Sequence, residues 1–160
     1  GSASAARSMG GFDQYVTTNL KAKSGAALTR KDIEDVFQDA YEAGGAPDTI
    51  VCGAWARRKI SSFYEGVIRT DRSEERGGHT ITTVQTDFGE MEVVYCRWNP
   101  TDTLYVIEKD KMGWIEYRPF DIYERASTGD YMVKDVLGEY SFVLCNEEAH
   151  GKISGFSTTK

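Results

Sequence analysis

The sequence has only two histidines and three cysteines, and it contains no Cys-x-x-Cys pair. A zinc site needs three or four clustered ligands, which these scattered residues do not supply. Cys52, Cys96 and Cys145 each lie in an apolar, strand-like stretch, so we interpret them as buried free thiols of a reducing compartment. His79 and His150 are flanked by polar residues and are interpreted as surface histidines.

Patterns for catalysis are also missing. Asp87-Phe88-Gly89 spells the metal-binding triplet of protein kinases, but the glycine-rich loop, the strand lysine and the catalytic-loop aspartate are absent. We therefore interpret the triplet as a hairpin turn. Cys145 and His150 lie close together along the chain, but nothing in the sequence orients the histidine as a base. The sequence predicts a protein that is not an enzyme, with no catalytic residues, no metal ligands and no cofactor.

Long apolar runs and basic tracts are scarce as well. No run of 18 apolar residues is present, so we predict no membrane-spanning helix. The 25 acidic residues outnumber the 19 basic ones, and the resulting net charge of −6 argues against a specific nucleic-acid surface. A chain of 160 residues suits one domain, which buries roughly 70% of the surface of its unfolded chain.

Helical periodicity is clearest after Thr29, which is followed by Asp32 in the pattern of an N-terminal helix cap. The apolar face of this helix is expected to comprise Ile33, Val36, Phe37, Ala40 and Tyr41. We expect Gly44 and Gly45 to end the helix, with Gly45 in the left-handed conformation. Pro47 prevents any continuation.

The chain beyond this helix predicts one more helix and several strands. The second helix follows Gly53, and its predicted apolar face is Ala56, Ile60 and Phe63. Residues 79–98 predict a β-hairpin at the centre of the sheet, with a second arm covered on both faces. Further strands are predicted at residues 49–52, 103–108, 114–117, 131–145 and 149–156. We expect residues 114–117 to pair back on the preceding strand and Pro119 to end that strand.

This order of elements predicts the α+β class, with two helices packed on a central mixed or antiparallel sheet. Residues 1–8 are interpreted as a vector remnant or a disordered lead-in, and residues 9–28 as an extended linker. We expect residues 29–160 to form a single α+β domain.

Two groups of residues are candidates for protein contacts. The first group lies in a charged loop that ends in glycines, a loop that suits a partner: Arg72, Glu74, Glu75 and Arg76. The second group combines two residue types that are enriched at interfaces: Tyr117, Arg118, Tyr123 and Arg125. Core packing is the alternative for the tyrosines, and most of Trp55, Trp98 and Trp114 are expected in the core.

Several short motifs occur in an order that is typical of one protein family. They are Gly44–Val51, Thr86–Gly89, Arg97–Pro100, Arg118–Phe120, Thr128–Asp130, Gly138–Tyr140, and Asn146 with Ala149–His150. In this order they resemble the C-terminal two-thirds of major capsid proteins from tailed bacteriophages and prophages, which have the Hong-Kong-ninety-seven-type coat fold. The resemblance covers roughly residues 9–156.

The resemblance implies a structural coat subunit without cofactor or catalysis. Identical subunits of this kind self-assemble into pentamers and hexamers of an icosahedral virion in the bacterial cytoplasm. Residues 29–126 would correspond to the axial domain, and the strands between residues 127 and 156 would return toward the peripheral domain. The N-terminal arm, extended loop and spine helix of the family have no counterpart here, so we expect a soluble, monomeric fragment.

A second hypothesis is a non-catalytic α+β module that binds a small ligand or a peptide. In such a module a partner strand pairs with the edge of the sheet. It predicts a monomer at every concentration and a discrete groove, whereas a coat subunit associates with copies of itself.

Overall fold

The computed structural model describes residues 9–64, 83–126 and 129–159. These residues form two compact units. The sheet unit comprises Val16–Lys111 and Asn146–Lys160, and the ribbon unit comprises Gly1–Tyr15 and Met112–Cys145. The predicted lead-in, His79 and the whole charged loop from Arg72 to Gly78 lie outside the described residues. The predicted single domain over residues 29–160 stays a prediction.

The sheet unit is built on a mixed sheet of six described strands. These are β1 (Leu20–Ala22), β2 (Thr49–Cys52), β3 (Thr83–Thr86), β4 (Gly89–Tyr95), β5 (Thr103–Ile107) and β8 (Gly151–Ser154). Their order is β1-β8-β5-β2-β4-β3. The pairs β1–β8 and β2–β4 are parallel and the others are antiparallel. The predicted α+β class with a mixed sheet is confirmed.

Strands β3 and β4 form the predicted hairpin, with Asp87 and Phe88 between the closing pair Thr86 and Gly89. Gly89 has a φ of +135°, a conformation that L side chains rarely adopt. The predicted position was wrong, because among the described strands the hairpin lies at one edge of the sheet and β5 and β2 are central. The predicted burial of β4 on both faces was also wrong, since its buried and exposed residues mostly alternate.

Helix α2 (Arg30–Glu42) begins at Thr29 with the predicted capping box. Its apolar face is buried as predicted except for Tyr41, which is 54% exposed. The helix ends at Ala43, and Gly44 takes the left-handed conformation with a φ of +84°. The prediction of a left-handed Gly45 was therefore wrong. Gly45 is needed for a different reason, because it touches the backbone of Ala149.

Helix α3 (Ala54–Tyr64) follows Gly53 and also packs on the sheet. Ala56 and Ile60 are buried as predicted, while Tyr64 rather than Phe63 is the third fully buried residue. Phe63 and Trp55 are partly buried against the core. The largest fully buried side chains of the sheet unit are Phe37, Leu28, Ile33, Ile50, Ile60, Met91, Leu104 and Ile153.

Residues 9–28, predicted as an extended linker, contain the single helical turn α1 (Phe12–Tyr15) and the strand β1. Strand β1 is tied to α2 by ion pairs. Lys23 Nζ lies 2.7 Å from Asp32 Oδ2, and Lys21 Nζ lies 3.2 Å from Asp32 Oδ1. Burial raises the pKa of Asp32, but hydrogen bonds from Lys23, Thr29 and Lys21 outweigh it and hold the pKa well below its ordinary range.

A second tie joins the segment before β1 to the 3-10 turn at Glu147–Ala149. The Glu147 carboxylate accepts hydrogen bonds from the backbone N–H groups of Thr17 and Thr18, and from Thr18 Oγ1 at 2.8 Å. Burial raises the pKa of Glu147, and these hydrogen bonds lower it further than burial raises it. The charged carboxylate therefore stabilises the folded chain.

Replacing Glu147 by glutamine is expected to lower the stability of the chain by about 1 kcal/mol at pH 7. Because the folded pKa is depressed, the contribution of the carboxylate is present above its ordinary pKa of 4.5 and disappears as the pH falls through the folded value. Thermal unfolding of both proteins at pH 7 and pH 3 measures this, with Glu148→Gln as the control. An equal difference at both pH values would contradict the carboxylate's role.

Several predictions of which side chains are buried were wrong. His150 is fully buried, and its Nδ1 accepts a hydrogen bond from the backbone N–H of Glu108 at 3.2 Å. Cys52 is buried, and burial raises the pKa of its thiol to about 11, but Cys96 is half-buried and Cys145 is exposed. Most of the three tryptophans were expected in the core, yet Trp98 and Trp114 are exposed.

The ribbon unit contains α1 and two long antiparallel strands, β6 (Met112–Glu124) and β7 (Lys134–Leu144). The predicted pairing of residues 114–117 with the preceding strand was wrong, because β6 pairs with β7. Pro119 does not end the strand either. The register shifts twice, between Glu116 and Arg118 and between Arg118 and Asp121, and such irregular pairing accommodates a residue that lacks an N–H donor.

No helix in the described ranges is long and apolar enough to cross a membrane.

Candidate contact surface

The ribbon formed by β6 and β7 has one apolar face. Directly opposed residues of antiparallel strands share a face, and so do alternate residues along a strand. The opposed apolar pairs on this face are Met112–Leu144, Trp114–Phe142 and Ile122–Val136. Phe120 joins them, because its ring centroid lies 5.1 Å from that of Tyr140. We call these eight residues the apolar ribbon face.

Gly138 makes room for Phe120 on this face. A Cβ atom at position 138 would meet the Phe120 ring at 2.6 Å, so the aromatic ring lies directly over the glycine. An aromatic ring across from a strand glycine covers backbone that would otherwise be exposed. The second register shift of β6 therefore leaves Phe120 packed on the ribbon.

One end of the apolar ribbon face is covered by α1. The rings of Phe12 and Tyr15 lie 6.4 and 6.1 Å from the ring of Phe142, measured between centroids, and the Trp114 ring lies 5.6 Å from it. Aromatic pairs at these separations are favourable beyond their buried area. This end of the ribbon is a small aromatic cluster.

The other end of the face is open. Phe120 is 67% exposed, Ile122 61% and Val136 63%. Contiguous apolar surface of this kind marks an interaction site in a soluble protein. Within the described part of the chain β6 and β7 pair only with each other, so each strand also has an open edge.

The opposite face of the ribbon carries ion pairs. Arg118 lies 3.9 Å from Glu139, and Arg125 pairs with Asp135. Tyr123 is opposed to Asp135 and therefore shares this face. The four predicted contact residues of the ribbon are thus exposed and, apart from Tyr117 at the first register shift, lie on its polar side. Their role in an interface stays a prediction.

The other four predicted contact residues, Arg72, Glu74, Glu75 and Arg76, lie outside the described residues. Sequence reasoning missed the apolar ribbon face itself. A signal for it exists in β7, where Val136, Tyr140, Phe142 and Leu144 recur with a period of two. In β6 two register shifts lie between Trp114 and Ile122 and interrupt this period, which hides the matching face.

The side chains of the ribbon are of the kinds that make contacts between proteins. Among residues 9–64, 83–126 and 129–159 there is no group of three His, Cys, Asp or Glu side chains that is suited to a metal ion. The ribbon instead presents mostly aromatic and branched apolar side chains on one face, which ends at the opposed ion pair of Glu124 and Lys134. The other face carries two ion pairs beside the exposed side chains of Ile115 and Leu137. Such a surface suits another protein surface.

A sequence profile of the SU10 major capsid protein family matches residues 1–157. The chain belongs to this family. Membership of the SU10 major capsid protein family identifies a structural, non-enzymatic coat protein of the phage virion. It confirms both the resemblance to phage major capsid proteins and the prediction that the chain is not an enzyme. No curated protein matches the sequence.

Solved structures show the same fold at low sequence identity. The SrpI encapsulin of Synechococcus elongatus PCC 7942, in its holo complex, has a TM-score of 0.56 at 12% identity, over 89% of this chain and 54% of that chain. A chain of Mycobacterium phage Adephagia has a TM-score of 0.55 at 13% identity, over 95% of this chain and 56% of that chain. The SU10-family chain therefore spans just over half the length of these two structural neighbours.

Proposed function

We propose that this chain is part of a coat subunit that self-assembles with identical copies into the pentamers and hexamers of an icosahedral phage head. In this proposal the sheet unit has the role of the axial domain, which meets its neighbours around each capsomer axis. Assembly takes place in the cytoplasm of the bacterial host, and no cofactor is required.

The observation that carries this proposal is the open end of the apolar ribbon face. Fully burying a side chain such as Ile122, Val136 or Phe120 stabilises a complex by roughly 1.5–3 kcal/mol. Three such side chains contribute several kcal/mol, which is comparable with the entropic cost of bringing two proteins together. Water leaves this surface favourably when a neighbouring subunit covers it. The ion pairs of Arg118 and Arg125 on the opposite face then stay in solvent, and the Glu124–Lys134 pair lies at the rim of the covered surface.

The proposal predicts that a polar ribbon stops assembly. Ile122→Thr combined with Val136→Thr keeps two β-branched residues on the strands but adds hydroxyl groups to an opposed pair. Both side chains are more than half exposed, so we expect the fold to be unchanged. Expression of the coat gene from its own start codon, followed by electron microscopy, is expected to show at least a tenfold lower yield of shells.

The matched control is Ile115→Thr, which makes the same kind of change on the opposite face of the ribbon, where Ile115 is opposed to Ser141 and is 56% exposed. It is expected to leave the shell yield unchanged. Circular dichroism of each variant checks that the fold is retained. Normal shells from the doubly substituted protein would show that the apolar ribbon face is not an assembly contact. A coat gene product that stays monomeric at high concentration would overturn the coat proposal itself and favour a ligand-binding or peptide-binding module.

The isolated 160-residue chain is expected to be a monomer at micromolar concentration. Light scattering measures this directly. The reason is that two long strands joined in a narrow ribbon supply little area, and stable interfaces bury about 1,200–2,000 Å² in total.

A further inference from the structure

We propose that neighbouring copies of the sheet unit meet head to tail, with the Trp98 corner of one copy seated on the Tyr41–Phe88 patch of the next. The Trp98 corner is Tyr95, Arg97 and Trp98. The Tyr41–Phe88 patch is those two residues with Glu42 and Asp87. This inference rests on the proposed coat function and assigns a second contact, separate from the apolar ribbon face.

The Trp98 corner is exposed and held by its surroundings. Trp98 is 89% exposed, although it is the largest side chain type in proteins. The backbone around it is fixed, because the N–H of Cys96 donates to the carbonyl of Cys52 at 3.0 Å and Asn99 Nδ2 donates to the carbonyl of Thr103 at 2.7 Å. An exposed tryptophan on an ordered turn is typical of an interface hot spot. Folding of the sheet unit makes no use of this indole ring.

The Tyr41–Phe88 patch is also aromatic and exposed. The two rings lie 5.7 Å apart between centroids, and they join the C-terminal turn of α2 to the β3–β4 hairpin turn. Tyr41 lies on the predicted apolar face of α2, yet it is the one member of that face that the sheet unit leaves exposed. The two rings are tilted by 42° to each other, and together they present an apolar surface on which a partner ring can pack edge-on or offset.

The two surfaces lie at opposite ends of the same strand. Phe88 directly precedes β4, and Trp98 follows it after three residues. The seven residues of β4 separate the two ends by about 23 Å at the rise of an extended strand. Two different patches at two ends of one rigid element make a heterologous contact, and such contacts close into rings when the rotation between copies allows it. This is the kind of contact that pentamers and hexamers need.

The charges of the two surfaces are complementary. Arg97 is exposed at the Trp98 corner, with Asp102 as the acidic residue nearby in sequence. The Tyr41–Phe88 patch is flanked by the exposed acids Glu42 and Asp87. Opposite charges at the rim of an aromatic contact fix its orientation and exclude the self-pairing of identical ends.

The test uses two variants that each remove one half of the contact. Trp98→Ala removes the corner, and Tyr41→Ala removes the patch while placing a strong helix former in α2. We expect the unaltered chain to associate weakly, with a Kd on the order of 0.1 mM in sedimentation equilibrium. Each variant alone is expected to weaken this association about tenfold or more. The control Leu20→Ala removes a half-exposed apolar side chain elsewhere in the sheet unit and leaves the association unchanged.

Mixing the two variants gives the decisive result. A Trp98→Ala copy keeps its patch and a Tyr41→Ala copy keeps its corner, so the mixture is expected to form a heterodimer and nothing larger. A charge exchange repeats the test, because Arg97→Glu and Glu42→Lys each weaken association and restore it when mixed. No heterodimer in either mixture, or an unaltered chain that is monomeric up to about 1 mM, overturns the inference.

The same variants separate this inference from the proposed coat function. If the coat gene carrying Trp98→Ala forms shells in normal yield, the head-to-tail contact is wrong and the coat function stands. If the unaltered coat gene forms no shells, the coat function itself is wrong.

Discussion

Replacing Asp32 by alanine is expected to lower the stability of the chain by roughly 3 kcal/mol. The Asp32 carboxylate accepts hydrogen bonds from the Thr29 backbone N–H at 2.9 Å and from Thr29 Oγ1 at 2.6 Å, so its loss removes half of the capping box. The loss also leaves Lys23 without its carboxylate, although that lysine side chain is only 15% exposed. A poorly solvated charge that loses its partner is costly.

Chemical denaturation at pH 7 measures this loss, and the pH dependence identifies its cause. The folded pKa of Asp32 is depressed, so its contribution is present above the ordinary pKa of 3.8 and is lost as the pH falls through the folded value. The control is Asp35→Ala, which removes a more exposed carboxylate that pairs with Lys21 and is expected to cost less than about 1 kcal/mol. Equal losses for Asp32 and Asp35 would show that the buried pair contributes little.

Replacing Gly45 by valine is expected to lower the stability by about 2–3 kcal/mol, through a steric clash. A Cβ atom at position 45 would lie 2.6 Å from Ala149 Cα, 2.7 Å from Ala149 Cβ and 3.0 Å from the carbonyl oxygen of Ala40. Two of these three atoms belong to the backbone, which cannot turn aside as a flexible side chain can. For a chain of this size the loss corresponds to a fall of roughly 4–12 °C in the thermal midpoint.

Gly44→Ala is the matched comparison at the neighbouring position. Gly44 has the left-handed conformation and open space around it, so alanine there costs about 1 kcal/mol for backbone strain alone. A larger effect at Gly45 than at Gly44 is therefore expected in thermal unfolding. The reverse order would mean that the close approach of Gly45 to Ala149 relaxes easily.

Local patterns predicted the helices well. The Thr29 cap, the apolar period of α2 and the glycines after it are all short-range signals, and the structure places each of them as expected except for the exchange of roles between Gly44 and Gly45. The β3–β4 hairpin was equally local, because its turn lies in three consecutive residues. Interactions between residues close in sequence are enough to predict such elements.

Pairing between distant segments was not predictable in the same way. The apolar and β-branched residues of β4 fit a central strand and a strand next to the edge equally well. The position of β4 follows only from its long-range parallel pairing with β2, which sequence patterns do not reveal. Pro119 misled the prediction of β6 because a proline is tolerated where the ladder is already irregular. Burial of His150 likewise depends on the distant Glu108 backbone, which no local pattern reveals.

The same difference between local patterns and long-range pairing applies to the candidate contact residues. Tyr and Arg content pointed to the ribbon, but the face that a neighbour would cover follows from the register of β6 against β7. Sequence composition pointed to this hairpin and favoured its polar face, and the role of either face in an interface stays a prediction. Most of the tryptophans were expected in the core, since tryptophan is highly buried on average, but the indole of Trp98 is exposed.

The position of β8 in the sheet has a consequence for synthesis on the ribosome. Strand β1, the earliest described strand, pairs only with β8, the last one, and β8 also joins it to β5. Residues 20–22 therefore have no strand to pair with until residues 151–154 have left the ribosomal exit tunnel. Such a pairing of early and late segments delays completion of the sheet until β8 has been made. A nascent coat subunit of this design does not present a finished sheet unit to its neighbours before its β8 segment has left the ribosome.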